Sequence, residues 1–472
     1  MIMAMVGHEN KELPASDYYD ACLLHMASLL DAELMADVLK AQLFPFQPET
    51  FVVVSCKLVR VKYKPLKNCL AVYDFTVEHI LTGEKRHFYI TCRTYEFQGS
   101  RRRFDRAVRQ HDRNPSDFPA IFHVPELEII GWVFPCESKL LSLPFISHAH
   151  YLKHVVLPRL IESLCGKDWQ IVKFSSTVMH YVPEHTCTIR VELSLTRQGQ
   201  KLTKTVFGKC YYNEAGEQTF SIMRKLHESS LNGITPLRFP APLFYDAELK
   251  LLWQEGLSGQ TLRDATAGVE SRRELLPQAA RAIALFHRIP VDHQLSVVKI
   301  TDMLTTLANR MEVLSHVTPL DRRKLNQVIL SLHRTVPILP PTEIVTLHGD
   351  VHPQNLFLQN QSVAFIDLDS VVAGPAYHDV ASWLCGMLYW GAMQHRSLQT
   401  LLPELGFFVT NYNQYAPFRV DEQDLSWFIA MALINERIFR CITRFKSGRL
   451  QIINELLDWA EQFACGQQRI AI

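Results

Sequence analysis

Three oxygen-bearing side chains stand close together in one short segment of the chain. Asp350 and Asn355 are five positions apart, and Asp367 follows twelve positions after Asn355. Two apolar runs on either side of residues 359–361 predict a β-hairpin. Asp350 and Asn355 then lie in the loop before the hairpin and Asp367 lies directly after it, so we expect the three side chains to converge.

These residue types, at this spacing, suit phosphoryl transfer from a nucleotide. Mg²⁺ prefers carboxylate and amide oxygens together with phosphate oxygens, so Asn355 and Asp367 are candidate metal ligands. Asp350 is not needed as a ligand and is free to orient an incoming hydroxyl group and accept its proton. Asp369 either lies near a second metal ion or caps the following turn.

The same segment resembles a known enzyme family. Motifs similar in order and spacing to those of the aminoglycoside phosphotransferase and choline kinase-like family stand at His348-Gly349-Asp350-x-His352-x-x-Asn355, at Ile366-Asp367-x-Asp369 and at His378-Asp379-Val380-Ala381. The members are small-molecule kinases with a protein-kinase-like fold. The resemblance covers about residues 172–465 and implies ATP as the phosphoryl donor, Mg²⁺, and a small hydroxyl-bearing substrate.

The resemblance also implies a role for each motif residue. Asp350 is implied as the catalytic base, Asn355 and Asp367 as metal ligands, and Asp379 as the helix residue that braces the catalytic loop. We expect His348 to brace the same loop rather than to bind a metal ion.

The sequence before this segment must supply a nucleotide-binding lobe. Lys209 stands in an alternating strand pattern, where it is either a surface charge or a contact to the α- and β-phosphates. Its place before a predicted helix matches the strand lysine of the family. Glu217 resembles the ion-pair partner of that lysine, although an acidic residue at a helix N-terminus is also favourable by itself.

The resemblance implies two further parts of the nucleotide site. Residues 251–256 end the last strand of this lobe and resemble the hinge whose backbone receives adenine, with Gln254, Glu255 and Gly256 as the contacts. No GxGxxG sequence lies between the first strands, so the cover over the phosphates cannot be assigned beyond residues 182–185.

The first half of the chain contains an internal repeat. Five matches recur in the same order, among them Tyr63-x-Pro65-x-x-x-Cys69 with Tyr181-x-Pro183-x-x-x-Cys187, and Arg93-x-Tyr95 with Lys209-x-Tyr211. We therefore expect residues 51–145 to duplicate residues 172–260, with a helix near 148–166 between them. Arg93 replaces the lysine and no helical domain follows the first copy, so we expect this copy to be a non-catalytic cap.

Periodicity completes the predicted architecture. Apolar spacing predicts helices over residues 17–44 and from 270 to the end, interrupted at 343–375. With the resemblance, this gives an α+β, two-lobed protein-kinase-like fold, in which a duplicated small-lobe-like domain precedes an antiparallel-sheet small lobe and a mostly helical large lobe. The predicted segments are an N-terminal helical segment at 1–50, the cap with its linking helix at 51–170, the catalytic small lobe at 171–260 and the helical large lobe at 261–472.

Composition excludes several classes of protein. The 472 residues include 49 Lys and Arg against 48 Asp and Glu, a net charge of +1 that gives no general attraction to nucleic acid or to an anionic membrane. Eleven scattered cysteines without a CxxC pair predict reduced thiols. No apolar run reaches the ~20 residues that span a bilayer, and the start lacks the basic region of a signal peptide. We expect a cytoplasmic protein without nucleic-acid or membrane partners, in an oligomeric state that the sequence does not fix.

Two functions fit these motifs. The first is an ATP-dependent, Mg²⁺-requiring kinase acting on a hydroxyl of a sugar, an aminoglycoside or an amino alcohol. The second is a pseudokinase-like, nucleotide-binding regulatory protein whose N-terminal domain docks a partner. Because the base and both metal ligands are present, the sequence favours the kinase.

Overall fold

The chain forms two compact units. The computed structural model describes residues 2–3, 20–110, 118–140, 142–265, 269–316, 320–340, 342–359 and 362–472. The first unit comprises Met1–Glu214, Asp246–Leu251 and Ile442–Ser447, and the second comprises Ala215–Tyr245, Leu252–Cys441 and Gly448–Ile472. The four predicted segments follow different boundaries and stay a prediction.

The first unit is built from long strands and short helices. Its strands are β1 (Ile2–Met3), β2 (Phe51–Lys64), β3 (Asn68–His79), β4 (Lys85–Tyr95), β5 (Ile121–Val124), β6 (Ile129–Val133), β7 (Gln170–Val182), β8 (Thr186–Arg197) and β9 (Gln200–Tyr211). Its helices are α1 (Met26–Leu30), α2 (Ala32–Leu43), α3 (Ser100–Gln110), α4 (Leu143–Ser147), α5 (Ala149–Tyr151) and, after a π-helical turn, α6 (Leu157–Cys165).

The first sheet has the antiparallel order β2-β3-β4-β6-β5. In the central strands β3 and β6, residues of both faces are buried, and the buried residues on the face of β3 that carries Tyr73 and Phe75 are all apolar. That face packs in one core with α1 and α2, where Leu29, Met35 and Leu39 contribute beside Tyr73 and Phe75 of β3. The helical segment predicted over 17–44 is present only as α1 and α2, because residues 20–25 form turns and residues 17–19 lie outside the described residues, whereas the helix predicted near 148–166 is present as α5 and α6 with the π-helical turn between them.

A second sheet repeats this order of strands. It runs β1-β7-β8-β9-β11-β10, where β10 is Pro242–Asp246 and β11 is Leu251–Glu255. The strands β7 to β11 thus follow one another as β2 to β6 do in the first sheet. The short strand β1 adds a parallel edge next to β7.

The second unit is mainly helical, as the periodicity predicts. Its helices are α7 (Ala215–Leu231), α8 (Leu262–Ala265), α9 (Val269–His287), α10 (Ile300–Leu314), α11 (Arg322–Arg334), α12 (Tyr377–Met393), α13 (Leu398–Tyr415), α14 (Glu422–Ala432), α15 (Phe439–Thr443) and α16 (Ile453–Ala464). A π-helical turn at Leu433–Ile438 joins α14 to α15. No helix in the described ranges is long and apolar enough to cross a membrane.

Short strands also lie among the helices, and four of those in the described ranges fall within the predicted interruption at 343–375. They are β12 (Gln260–Thr261), β13 (Ile344–Leu347), β14 (Leu356–Gln359), β15 (Ser362–Phe365) and β16 (Val372–Pro375). β14 and β15 form an antiparallel hairpin with Gln359 opposite Ser362. The hairpin is confirmed, while residues 360 and 361 of its turn lie outside the described residues. Antiparallel sheets and separate helices make this an α+β fold, as predicted.

Candidate active site

Two pairs of short strands frame the predicted catalytic loop. β13 pairs with β16, and the loop 348–355 connects β13 to the hairpin of β14 and β15. Asp367 follows β15 directly, and α12 begins just after β16. The strands therefore fix both ends of the loop and the start of the segment that contains Asp367.

A buried carboxylate holds the beginning of the loop. Asp379, in the first turn of α12, is 1% exposed. It accepts hydrogen bonds from the His348 N–H at 2.7 Å and from the Gly349 N–H at 3.0 Å. Because these two N–H groups belong to the residues that directly follow β13, the carboxylate of Asp379 connects α12 to the start of the loop.

Two histidines stabilise the charge of this carboxylate. Burial alone would raise the pKa of Asp379, but hydrogen bonds and positive charge from His287 and His378 outweigh it and lower that pKa well below its usual range. The His287 Nε2 lies 3.3 Å from the carboxylate, and the Tyr412 hydroxyl lies 2.7 Å from the His287 Nδ1. Asp379 is thus an ionised, fully buried brace.

His348 and Gly349 connect the catalytic loop to the segment after β15. The buried His348 ring donates from Nε2 to the Ile366 carbonyl at 3.0 Å. Gly349 has φ +78°, and a Cβ there would lie 2.1 Å from the Ser370 carbonyl oxygen. Only glycine fits this close approach without strain. His348 thus contacts Ile366, just before Asp367, and Gly349 contacts Ser370, three positions after it, so both hold Asp367 near the loop.

Asn355 completes the connection between the two segments. It is 5% exposed, and its Nδ2 donates to the Asp350 carbonyl at 3.0 Å. Its own carbonyl accepts from the Ile366 N–H at 3.0 Å. Ile366, next to Asp367, is therefore hydrogen-bonded to the catalytic loop through both its N–H and its carbonyl group, and the structure brings Asp350, Asn355 and Asp367 into one region.

The side chain of Asp350 is accessible and has basic neighbours. It is 39% exposed, with Arg440 Nη2 at 3.8 Å from Oδ1 and His352 Nε2 at 3.9 Å from Oδ2. Neither distance is that of a hydrogen bond. Burial lowers the pKa of His352, although the charge of Asp350 opposes the effect. Asp350 thus offers an accessible, only weakly paired carboxylate to a molecule from solution.

The donor atoms at the loop suit a hard cation. The side-chain amide of Asn355 donates through Nδ2, and its Oδ1 accepts no hydrogen bond within the described part of the chain. Asp367 is exposed and has a left-handed backbone with φ +58°. No group of three or more His, Cys, Asp or Glu side chains in the described ranges could hold a metal ion by itself. One amide and one carboxylate oxygen fit Mg²⁺, which usually keeps waters and phosphate oxygens as further ligands.

The predicted donor-binding residues lie on the elements expected of them. Lys209 is half-buried on β9, with its Nζ 5.6 Å from the centre of the Tyr211 ring. Glu217 is exposed in the first turn of α7 and forms no ion pair with a residue that the structure describes. The pairing of Lys209 with Glu217 stays a prediction.

The predicted hinge is the end of β11. The Glu255 N–H donates to the Ala241 carbonyl at 2.9 Å and is therefore engaged within the protein. Backbone groups of successive extended residues point to opposite sides of a strand. Because β11 lies between β9 and β10 and has a hydrogen-bonded strand on each side, the contacts of residues 254–256 with adenine stay a prediction.

Sequence reasoning missed His287, Tyr412 and Arg440. His287 ends α9 and lies 92 positions before Asp379, and Arg440 lies 90 positions after Asp350. No local motif marks either of them. Their contacts arise only when the helices of the second unit pack.

Comparisons with known proteins agree with the motifs. The family model described as the phosphotransferase enzyme family matches residues 204–417. No curated protein matches the chain.

Several solved structures are similar over about two thirds of this chain. A protein named as an aminoglycoside phosphotransferase from Ralstonia eutropha JMP134 is 14% identical, with a TM-score of 0.46, and the match covers 66% of this chain and 98% of that one. Spectinomycin phosphotransferase in complex with ADP and spectinomycin is 17% identical, with a TM-score of 0.38 and coverages of 63% and 93%. An aminoglycoside phosphotransferase in complex with GDP and kanamycin is 14% identical, with a TM-score of 0.42 and coverages of 66% and 100%. Such values are too low to transfer a substrate to this chain.

The family match is the stronger finding, because it includes the catalytic loop, Asp367 and the bracing residue Asp379. These are the residues on which the sequence resemblance rests, and their hydrogen bonds form one connected structure. The motifs and the family match over residues 204–417 together identify the chain as a small-molecule kinase.

Proposed function

We propose that this kinase transfers the γ-phosphoryl group of ATP to a hydroxyl of a small polar acceptor. The acceptor oxygen forms a bond to the γ-phosphorus, the bond to the β-phosphate oxygen breaks, and ADP leaves. The hydroxyl proton passes to Asp350. The observation that carries the proposal is the accessible, weakly paired carboxylate of Asp350 on a backbone that is held by Asp379, His348 and Asn355.

The other residues have supporting roles in the proposed reaction. Asn355 and Asp367 would hold Mg²⁺, which supplies charge neutralisation of the donor phosphates when bound. Lys209 contacts those phosphates, with Glu217 as its partner. Backbone groups of residues 254–256 receive the adenine.

The surroundings of Asp350 favour an acceptor that is neutral or anionic near its reacting hydroxyl. The charged group next to Asp350 is the Arg440 guanidinium, and within the described residues it makes no hydrogen bond. Arg440 also lowers the pKa of Arg310, although burial is the larger cause. A polycationic aminoglycoside would bring ammonium groups toward like charge, whereas a sugar hydroxyl or an acidic sugar would find free N–H donors.

The test is nucleotide consumption with three classes of acceptor, namely neutral sugars, sugar acids and aminoglycosides, at fixed ATP and Mg²⁺. We expect turnover with one of the first two and a dependence on added Mg²⁺. Arg440→Glu should then raise the KM of that acceptor and leave the Kd of ATP within about twofold. Preferred turnover of an aminoglycoside would contradict the acceptor assignment, and absence of ATP binding would contradict the donor assignment.

A further inference from the structure

A buried carboxylate holds the turn between β7 and β8. Glu137 is 2% exposed, and its Oε1 accepts hydrogen bonds from the Glu184 N–H at 3.0 Å and the Tyr181 hydroxyl at 3.3 Å. Its Oε2 accepts from the Lys139 N–H at 3.0 Å. The residues 182–185 of this turn are thereby tied to the chain that follows the first sheet.

The turn between β2 and β3 is held in the same way. Asp20 is 5% exposed, and its Oδ2 accepts from the Tyr63 hydroxyl and from the Leu66 N–H, both at 2.7 Å. Its Oδ1 accepts from the Cys22 N–H at 2.8 Å. The carboxylate and each of its partners have a counterpart 117 or 118 positions later, namely Glu137 for Asp20, Lys139 for Cys22, Tyr181 for Tyr63 and Glu184 for Leu66. Leu66 and its counterpart Glu184 even share a left-handed backbone, with φ of 61° and 64°.

Strand register extends the correspondence to the predicted lysine. Tyr63 is paired with Cys69, and Tyr181 is paired with Cys187. One position further, Leu70 faces Arg93 and Thr188 faces Lys209. Each hairpin also contains two register shifts. These observations support a duplication in which the first copy begins at Asp20, before α1, and the second begins at Glu137, before α4. They also make Arg93 the counterpart of Lys209.

The two copies differ in what their turns touch. Arg93 forms an ion pair with Glu184, the residue at the tip of the second turn, and the two side chains are only 14% and 10% exposed. The Ser138 hydroxyl donates to the same carboxylate at 2.9 Å. Burial would raise the pKa of Glu184, but Arg93 and Ser138 outweigh it and lower that pKa. In the first turn the equivalent position is Leu66, which offers no charge.

We propose that Arg93 of the first copy and Glu137, with which the second copy begins, form a clamp that holds residues 182–185 in the position in which they cover the nucleotide phosphates. Glu137, Arg93 and Glu184 are positioning residues in this clamp, and Arg93 binds a carboxylate of the protein where its counterpart Lys209 binds phosphate. The inference rests on the proposed binding of ATP.

The expected effect is on nucleotide affinity. Lys209 faces Thr188, three residues from the end of the turn, which corresponds to about 10 Å along β8 at about 3.3 Å per residue. The turn is therefore within reach of a nucleotide that Lys209 contacts. If loss of the clamp lowers the population of the competent turn to roughly one tenth, the apparent Kd rises about tenfold.

The experiment measures the Kd of ATP with Mg²⁺ by calorimetry for the full chain and three variants. Glu137→Ala removes the carboxylate that holds the second turn. The double variant Arg93→Met with Glu184→Gln removes the ion pair without leaving either charge buried and unpaired. Asp20→Ala is the matched control, because it removes the equivalent carboxylate from the first turn. Urea unfolding confirms that each variant folds, and hydrogen exchange reports the release of residues 182–185.

We expect about a tenfold higher Kd for both clamp variants and less than a twofold change for Asp20→Ala, even where its loss of stability is similar. If Glu137→Ala does not fold, the double variant decides. A wild-type Kd in a clamp variant whose turn exchanges faster would overturn the clamp, as would an equal rise in Asp20→Ala. If the wild type binds no ATP, the proposed function fails and the clamp fails with it. If the wild type binds ATP and a clamp variant binds it equally well, only the clamp fails.

Discussion

The bracing of the catalytic loop by Asp379 gives a prediction of stability and activity together. The carboxylate accepts two backbone N–H groups, at 2.7 and 3.0 Å, in a position that water does not reach. Asp379→Asn keeps one acceptor oxygen, but its amide N–H₂ group must face a second donor. One buried N–H is then unsatisfied, and a buried unsatisfied group costs about 1–3 kcal/mol. We expect this loss of unfolding free energy at pH 7.

The same substitution should lower turnover more than stability alone explains. The two N–H groups belong to residues that lie one and two positions before Asp350, so their release moves the proposed base. A displacement on the order of 1 Å can cost about 10²-fold in rate. Asp31→Asn is the matched control, because Asp31 also accepts two backbone N–H groups, at the exposed start of α2, where asparagine is an equally good cap.

The pH dependence provides an independent check of the Asp379 prediction. The pKa of Asp379 lies below its value of about 3.9 in the unfolded chain, so the unfolded state takes up the proton first as the pH falls. The stabilisation is therefore complete above about pH 4 and is lost progressively below it. Urea unfolding at several pH values should show the wild type approaching Asp379→Asn below pH 4. A constant difference across this range, or wild-type turnover in the variant, would refute the reasoning.

Two further predictions concern the same loop. Asn355→Ala and Asp367→Ala should weaken ATP binding in the presence of Mg²⁺ and lower turnover, because each removes an oxygen ligand from a near-octahedral cation. Calorimetry with and without Mg²⁺ measures the change in ATP affinity. An unchanged dependence of that affinity on Mg²⁺ would remove the residue from the ligand set. Gly349→Ala should destabilise the protein by more than Gly199→Ala, because both glycines have positive φ but a Cβ meets the Ser370 carbonyl at 349 and nothing within 4 Å at 199; equal unfolding free energies for the two variants would contradict the close approach.

Local sequence patterns were sufficient to predict the elements around the site. The apolar runs around residues 359–361 predict a hairpin with Asp350 and Asn355 in the loop before it and Asp367 directly after it, and the structure has the loop, the hairpin and the following segment. Apolar periodicity predicts the helices of the second unit because their buried apolar residues recur at helical spacing and form one continuous stripe on each helix. The repeat of Tyr63 and Cys69 at Tyr181 and Cys187 is also visible in the sequence, and in both copies the tyrosine hydroxyl donates to a buried carboxylate.

Contacts between distant parts of the chain could not be predicted in this way. His287 supports Asp379 across 92 positions, and Arg440 approaches Asp350 across 90. Periodicity places each on a helix but does not say which loop the helix packs against. The brace by Glu137 was missed for the same reason, because a lone glutamate between β6 and α4 has no pattern until the turn that it holds is present.

The central claim is that Asp350 acts on the acceptor hydroxyl and not on the nucleotide. The most direct test compares Asp350→Asn with the wild type in two measurements, the Kd of ATP with Mg²⁺ and the turnover of the acceptor found by the screen. We predict a Kd within about twofold of the wild type and a turnover lower by about 10²–10⁴-fold, the contribution of a positioned general base. A variant that keeps more than half of the wild-type turnover would contradict the account.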